Sequence, residues 1–147
     1  MKRFLRLSGL ARIAIFVVSL TSCKSDDEPS DGGSASSELV GTWYVDQTTT
    51  EYYTTVPEAT DYYNHTEVED GDGAYWEFTS SKVTVHDPND LANNKPVSYS
   101  YNSSKKELSI SCLTYRVKKL TSSTLVLYPD FSDGNFGEKV TIEFTKE

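Results

Sequence analysis

VSYSYNSSKKELSISCLTYRVKKLTSSTLVL, residues 97–127, alternates apolar and polar side chains with a period of two. Val97, Tyr99 and Tyr101 fall on one face. Asn102 to Lys105 is a polar turn, and Leu108, Ile110 and Cys112 follow in phase. Tyr115 and Val117 come next, with Arg116 and Lys118 opposite; Thr121-Ser122-Ser123 then turns into Leu125 and Leu127. A helix repeats its apolar positions every three or four residues, whereas a half-buried strand repeats them every two. The stretch therefore predicts consecutive strands, and their short connections favour antiparallel neighbours. The step from Cys112 to Tyr115 breaks parity, which a tight turn or a bulge would restore.

The same alternation extends in both directions. Leu39, Gly41, Trp43 and Val45 share a face, as do Trp76 and Phe78, with Tyr75 and Glu77 opposite. Val83 and Val85 follow across the Ser80-Ser81 turn. Val140, Ile142 and Phe144 alternate with Thr141 and Glu143 at the end. No window carries a helical stripe, and the abundance of Tyr, Thr and Ser favours strands. Eight strands result. An open edge invites aggregation and closure removes it, so the expected fold is all-β, an eight-stranded antiparallel up-and-down barrel over residues 38–147.

Those residues carry a resemblance. Gly41-Thr42-Trp43 near the first strand resembles the G-x-W opening of lipocalins. The strands from Val97 to Leu127 are similar to the lipocalin-like domains of bacterial, Bacteroidota-type lipoproteins. The resemblance implies a lipocalin-like barrel that takes a small hydrophobic or amphipathic ligand, without catalysis and without a cofactor.

The front of the chain is read separately. Lys2, Arg3 and Arg6 precede an apolar run, whose uninterrupted part, Ile13 to Leu20, is too short to span a bilayer, which needs roughly 20 residues. Leu20-Thr21-Ser22-Cys23 resembles a lipobox. It implies that residues 1–22 are a lipoprotein signal peptide and that Cys23 carries the acyl chains that bind the membrane. Residues 23–37, rich in Ser, Gly and acids, read as a flexible tether. The expected location is the outer membrane, lipid-anchored; the acidic cluster of the tether resembles a surface-export signal, which would expose the protein at the cell surface, while a solvated linker that happens to be acidic is the alternative.

Removing residues 1–22 takes four basic side chains and no acidic ones, leaving ten basic against 22 acidic. Such a surface repels phosphate backbones, which disfavours nucleic acid. With Cys23 modified, Cys112 is the one other cysteine, and its phase with Leu108 and Ile110 predicts a buried, inert thiol.

Residues 48–73 read as a long loop across the barrel mouth. Its Tyr52, Tyr53, Tyr62 and Tyr63 are candidate capping residues, set among Asp61, His65, Glu67, Glu69, Asp70 and Asp72. An extra edge strand over 50–56 is the structural alternative. Trp43, Trp76, Tyr99, Tyr101 and Tyr115 are candidate lining residues of the interior, although their bulk also suits a filled core. A filled barrel would instead be an interaction module, presenting the acidic Tyr-rich loop to another envelope protein or to glycan. Asp70-Gly71-Asp72-Gly73 lacks a full calcium-binding pattern and reads as an acidic turn; Asp130, Asp133 and Gly134 read as a loop. No metal ligand set is expected. No nucleophile motif occurs, and His86-Asp87 sits at a strand end, facing water.

Overall fold

The computed structural model describes residues 37–129 and 136–147, apart from the side chains of Tyr62, Asn93 and Phe136. The expected signal peptide, Cys23 and nearly all of the expected tether lie outside the described residues, as do Asp130, Asp133 and Gly134. Nine strands follow in order: β1 (Gly41–Thr54), β2 (His65–Asp70), β3 (Tyr75–Phe78), β4 (Lys82–His86), β5 (Val97–Asn102), β6 (Glu107–Ile110), β7 (Leu113–Leu120), β8 (Thr124–Pro129) and β9 (Phe136–Lys146). The short helix α1 (Thr60–Tyr63) follows a 3-10 turn at Pro57–Ala59.

Every pairing is antiparallel. Strands β3 to β9 pair in sequence order, and β1 pairs with both β3 and β9. The sheet closes into an all-β, eight-stranded up-and-down barrel. The ninth strand is no addition to the ring: β2 and β3 lie along the same edge of β1, one after the other. They amount to one strand broken at Gly71–Ala74.

That break has a clear local cause. Gly71 N–H donates to Asp46 O, Val45 N–H to Ala74 O and Ala74 N–H to Gly71 O, at 2.8–3.1 Å. A Cβ on Gly71 would overlap the Val45 carbonyl oxygen, so only glycine permits this approach. Asp72 and Gly73 both take positive φ, 48° and 82°. The acidic turn thus forms as a bulge within a strand.

On its other edge β1 slips against β9 between Val45 and Gln47. The extra residue, Asp46, reverses parity along β1. Before it, Trp43 and Val45 face in, Val45 opposite Phe144. After it, Thr48 and Thr50 oppose Ile142 and Val140, so Thr48, Thr50, Tyr52 and Thr54 face in. The predicted loop over 48–73 is therefore mostly sheet. Residues 47–52 pair with β2 and residues 47–54 with Phe136–Glu143 of β9, and together they extend the barrel wall. Only residues 55–64 connect. Period-two reading missed this because polar threonines occupy the inner face.

The core is the barrel interior. Leu39, Trp43, Phe78, Val83, Leu108, Leu125, Leu127 and Phe144 are fully or almost fully buried, packed with Trp76, Val85, Tyr101, Ile110, Tyr115 and Val117. These are the inward positions of the period-two pattern, and their burial is the main stabilising term. At one end the Trp43 Nε1–H donates to Leu39 O at 2.7 Å, while Lys146 Nζ sits 5.0 Å from the Trp43 ring centre and donates to Glu38 O. Gly41, at φ 133°, leaves room there for the Lys146 side chain.

Hairpin turns use short polar side chains. The Thr79 and Thr121 hydroxyls accept the N–H of Lys82 and Thr124, and Asn102 Oδ1 accepts that of Lys105. Between β6 and β7 the turn is Ser111-Cys112 alone, with Ser111 at φ 54°. This is the tight turn that the parity break required. It also corrects the expectation for Cys112, which is exposed rather than buried because the turn lifts it off the inner face. Cys112 is disulfide-bonded, its partner outside the described residues.

Candidate functional site

Two aromatic regions follow from this architecture, one filling the barrel and one on its extended wall. In the first, Trp76 lies at the centre. Its ring contacts Phe144 at 5.1 Å and Tyr115 at 5.7 Å, both edge-on, and Phe78 at 6.2 Å. Tyr99 is half-buried, edge-on to Phe78 at 5.1 Å, and its hydroxyl donates to Thr79 O at 2.8 Å. Burial pushes the Tyr115 hydroxyl up to about 12 and raises Tyr99 and Tyr101 in the same direction. Of the five candidate lining residues, Trp43, Trp76, Tyr101 and Tyr115 are thus members of the packed core, and Tyr99 packs against it.

The second region is the inner face of the extension. Thr48, Thr50 and Tyr52 run down its middle, with Glu69, Glu67 and His65 opposite them on β2 and Ile142, Val140 and Glu138 on β9. The His65 ring stacks on Tyr52 with centres 4.4 Å apart and planes within 12°. His65 Nδ1 lies 2.7 Å from Tyr63 O, and since a carbonyl can only accept, Nδ1 carries a proton. His65 Nε2 is then 3.4 Å from Glu67 Oε1, while Tyr52 donates to Glu67 Oε2 at 3.3 Å. Tyr63 meets Tyr52 edge-on at 6.3 Å. Asn64 Oδ1 accepts the Thr54 N–H, drawing α1 back over the strand end. The result is a trough with a fixed aromatic stack, a carboxylate and a row of threonine hydroxyls, next to the apolar side chains of β9.

The structure therefore unites Tyr52 and Tyr63 and separates Tyr53 from them. Tyr53 is on the opposite face, its ring over Gly137 and 5.2 Å from Lys139 Nζ. The Tyr62 side chain lies outside the described residues. Sequence reading named His65 and Glu67 only as members of a polar segment. Their strand spacing, i and i+2, was the available signal that they share a face.

A further aromatic row went unrecognised in the sequence. Tyr44, Tyr75 and His86 are cross-strand partners on the outer wall, Tyr75 stacking on His86 at 4.2 Å and meeting Tyr44 at 5.6 Å. The Glu147 carboxylate accepts the Tyr44 hydroxyl proton at 3.1 Å and raises its pKa. His86 Nε2 is buried without a hydrogen bond, with Glu77 Oε2 at 3.4 Å as its ionic neighbour. His86 points to the outer side as expected but is half-buried beneath its neighbours, and Asp87 departs from the expectation. Asp87 is buried, because its carboxylate accepts the Asn89 N–H and its own N–H bonds Asn94 Oδ1. These rings stack on one another, which suits sheet stabilisation. Among the described residues no group of His, Cys, Asp or Glu is arranged to hold a metal ion, and no helix is long and apolar enough to cross a membrane.

Neither a comparison with protein-family models nor one with curated proteins finds a match for this chain.

Proposed function

We propose that the chain is a cell-envelope lipoprotein, tethered at the outer membrane through Cys23, whose lipocalin-like barrel binds a small hydrophobic or amphipathic molecule without turnover. The trough supports the ligand reading. It continues the inner face of the barrel, offers apolar contact from Val140 and Ile142, and sets Glu67 and the Tyr52–His65 stack where a polar head would sit. Such a mixture, apolar walls with few placed polar groups, is the ordinary composition of a small-molecule site. The crowded interior favours a second reading, an interaction module whose acidic β1–β2 end meets another envelope protein or glycan.

Native mass spectrometry of the protein taken from its own envelope is expected to show retained ligand mass. Tyr52→Phe with Glu67→Gln, which keep ring and volume, should release it. A wild-type protein carrying no ligand would overturn the ligand reading.

The anchor has its own test. Cys23→Ala is expected to abolish acyl labelling and to move the protein from the membrane pellet to the soluble fraction. Labelling that survives the substitution rules out Cys23 as the lipidated residue. Acylation consumes the Cys23 sulfur as a thioether, so a lipidated chain cannot also join its own two cysteines. A Cys112 disulfide within the chain and an acylated Cys23 are therefore alternatives, and electrophoresis of the same samples with and without reductant distinguishes them.

A further inference from the structure

We infer that the floor of the trough is an acceptor subsite, where the Trp76 indole N–H and the Tyr115 hydroxyl donate to an uncharged, carbonyl-type oxygen at the inner end of a bound ligand. The inference rests on the ligand reading and adds a chemical class to it. Trp76 and Tyr115 are 8% and 3% exposed, on β3 and β7, and their rings meet edge-on at 5.7 Å. Trp43, the other indole, donates to Leu39 O; the Trp76 Nε1–H and the Tyr115 hydroxyl form no hydrogen bond among the described residues. Folds seldom leave such donors without partners, because each costs about 1–3 kcal/mol. Among the described residues, the one side-chain nitrogen or oxygen sealed from solvent without a hydrogen bond is His86 Nε2. The two donors are therefore not sealed: each faces a small space at the margin of the packed core.

That margin adjoins the trough. Ile142, half-buried, opposes Thr48 of the trough on one side and Leu127 of the core on the other. Trp76 packs on Phe144, the next inward residue of β9, and Tyr115 opposes Pro129, the next inward residue of β8 after Leu127. The surroundings then select the acceptor. No Lys or Arg is buried among the described residues. A carboxylate at this depth would lose its water without gaining a counter-ion, a cost that two neutral donors do not offset. The trough also carries Glu69 and Glu138, and the chain's net charge of −8 repels an anion. A ketone, ester or amide oxygen accepts two hydrogen bonds and brings no charge. Burial pushes the Tyr115 hydroxyl up to about 12, so it keeps its proton and donates throughout the neutral range.

The test titrates the full chain with a medium-chain methyl ketone, and with the alkane and the alkanoate of the same length. Proton–nitrogen NMR resolves the two indole N–H signals. The ketone is expected to move the Trp76 signal downfield and to saturate, while that of Trp43, already bonded to Leu39 O, stays in place. Tyr115→Phe, which keeps the ring, should weaken ketone binding about tenfold and leave alkane binding unchanged. The alkanoate should bind the wild type at least about tenfold more weakly than the ketone. An unmoved Trp76 signal, or a Tyr115→Phe effect that is the same for ketone and alkane, would overturn the acceptor subsite and leave the ligand reading intact. An alkanoate that binds more tightly than the ketone would overturn the uncharged class. If no probe binds, the two donors are left to water and the subsite fails. Ligand mass retained in native mass spectrometry would then still uphold the ligand reading, and its absence would end both.

Discussion

Replacing Trp76 by alanine is expected to lower the unfolding free energy by about 3–5 kcal/mol. The indole is almost fully buried on β3, and its ring touches residues of three strands: Phe78 on β3, Tyr115 on β7 and Phe144 on β9. β7 and β9 are not neighbours of β3 in the sheet. Trp76 therefore ties walls that no backbone hydrogen bond connects. Truncation would remove the transfer term for the ring and leave a cavity the rigid barrel cannot collapse around. Domains of this size are stable by only about 5–15 kcal/mol, so the loss is a large share of the whole. Urea denaturation should report it as a lower midpoint with an unchanged slope. Val68→Ala, on an exposed position, should stay within about 0.5 kcal/mol of the wild type. A cost below about 1 kcal/mol for Trp76→Ala would mean that the interior is not tightly filled, and the barrel would return as the ligand site.

Stability should also fall at alkaline pH, by a route that Tyr115 makes specific. Its hydroxyl is pushed up to about 12 by burial, against an ordinary value of 10.0 in the unfolded chain. Below pH 10 both states hold the proton, and the contribution is fully present. Between about 10 and 12 the unfolded chain has released the proton while the folded one retains it, so each pH unit removes about 1.4 kcal/mol. The whole loss is on the order of 2–3 kcal/mol. Tyr99 and Tyr101 shift in the same direction and add to the slope. Tyr115→Phe keeps the ring and deletes the proton. Its thermal midpoint is expected to fall less steeply than the wild type between pH 9 and 12, with curves that part above about pH 10. Parallel curves would show that the hydroxyl is solvated.

The barrel was legible in the sequence because burial and strand geometry leave the same trace. Trp43, Trp76, Phe78, Val83, Leu108, Ile110, Val117, Leu125, Leu127 and Phe144 alternate with polar neighbours, and all are buried where the alternation puts them. The turn at Ser111-Cys112 was legible as a broken parity but not as a choice. A bulge would have kept Cys112 inside; the turn puts it in solvent, where it forms a disulfide. The site was less legible still. One extra residue, Asp46, moves Tyr52 to the inner face and Tyr53 to the outer, and nothing in the residue type of Asp46 announces a bulge. Gly71 was the better clue, since a glycine among strand residues often marks a close backbone approach.

Local pattern, then, determined which side chains would leave water and hence the strands and their faces, because burial rewards every second position regardless of what lies opposite. Only the tertiary structure decided the pairing of Tyr52 with His65 and Glu67 and the division of Tyr53 from Tyr63. Those depend on register across strands that are distant in the chain. Register is set by bulges and closure acting on the whole sheet, and a period of two is blind to which strand a face will meet.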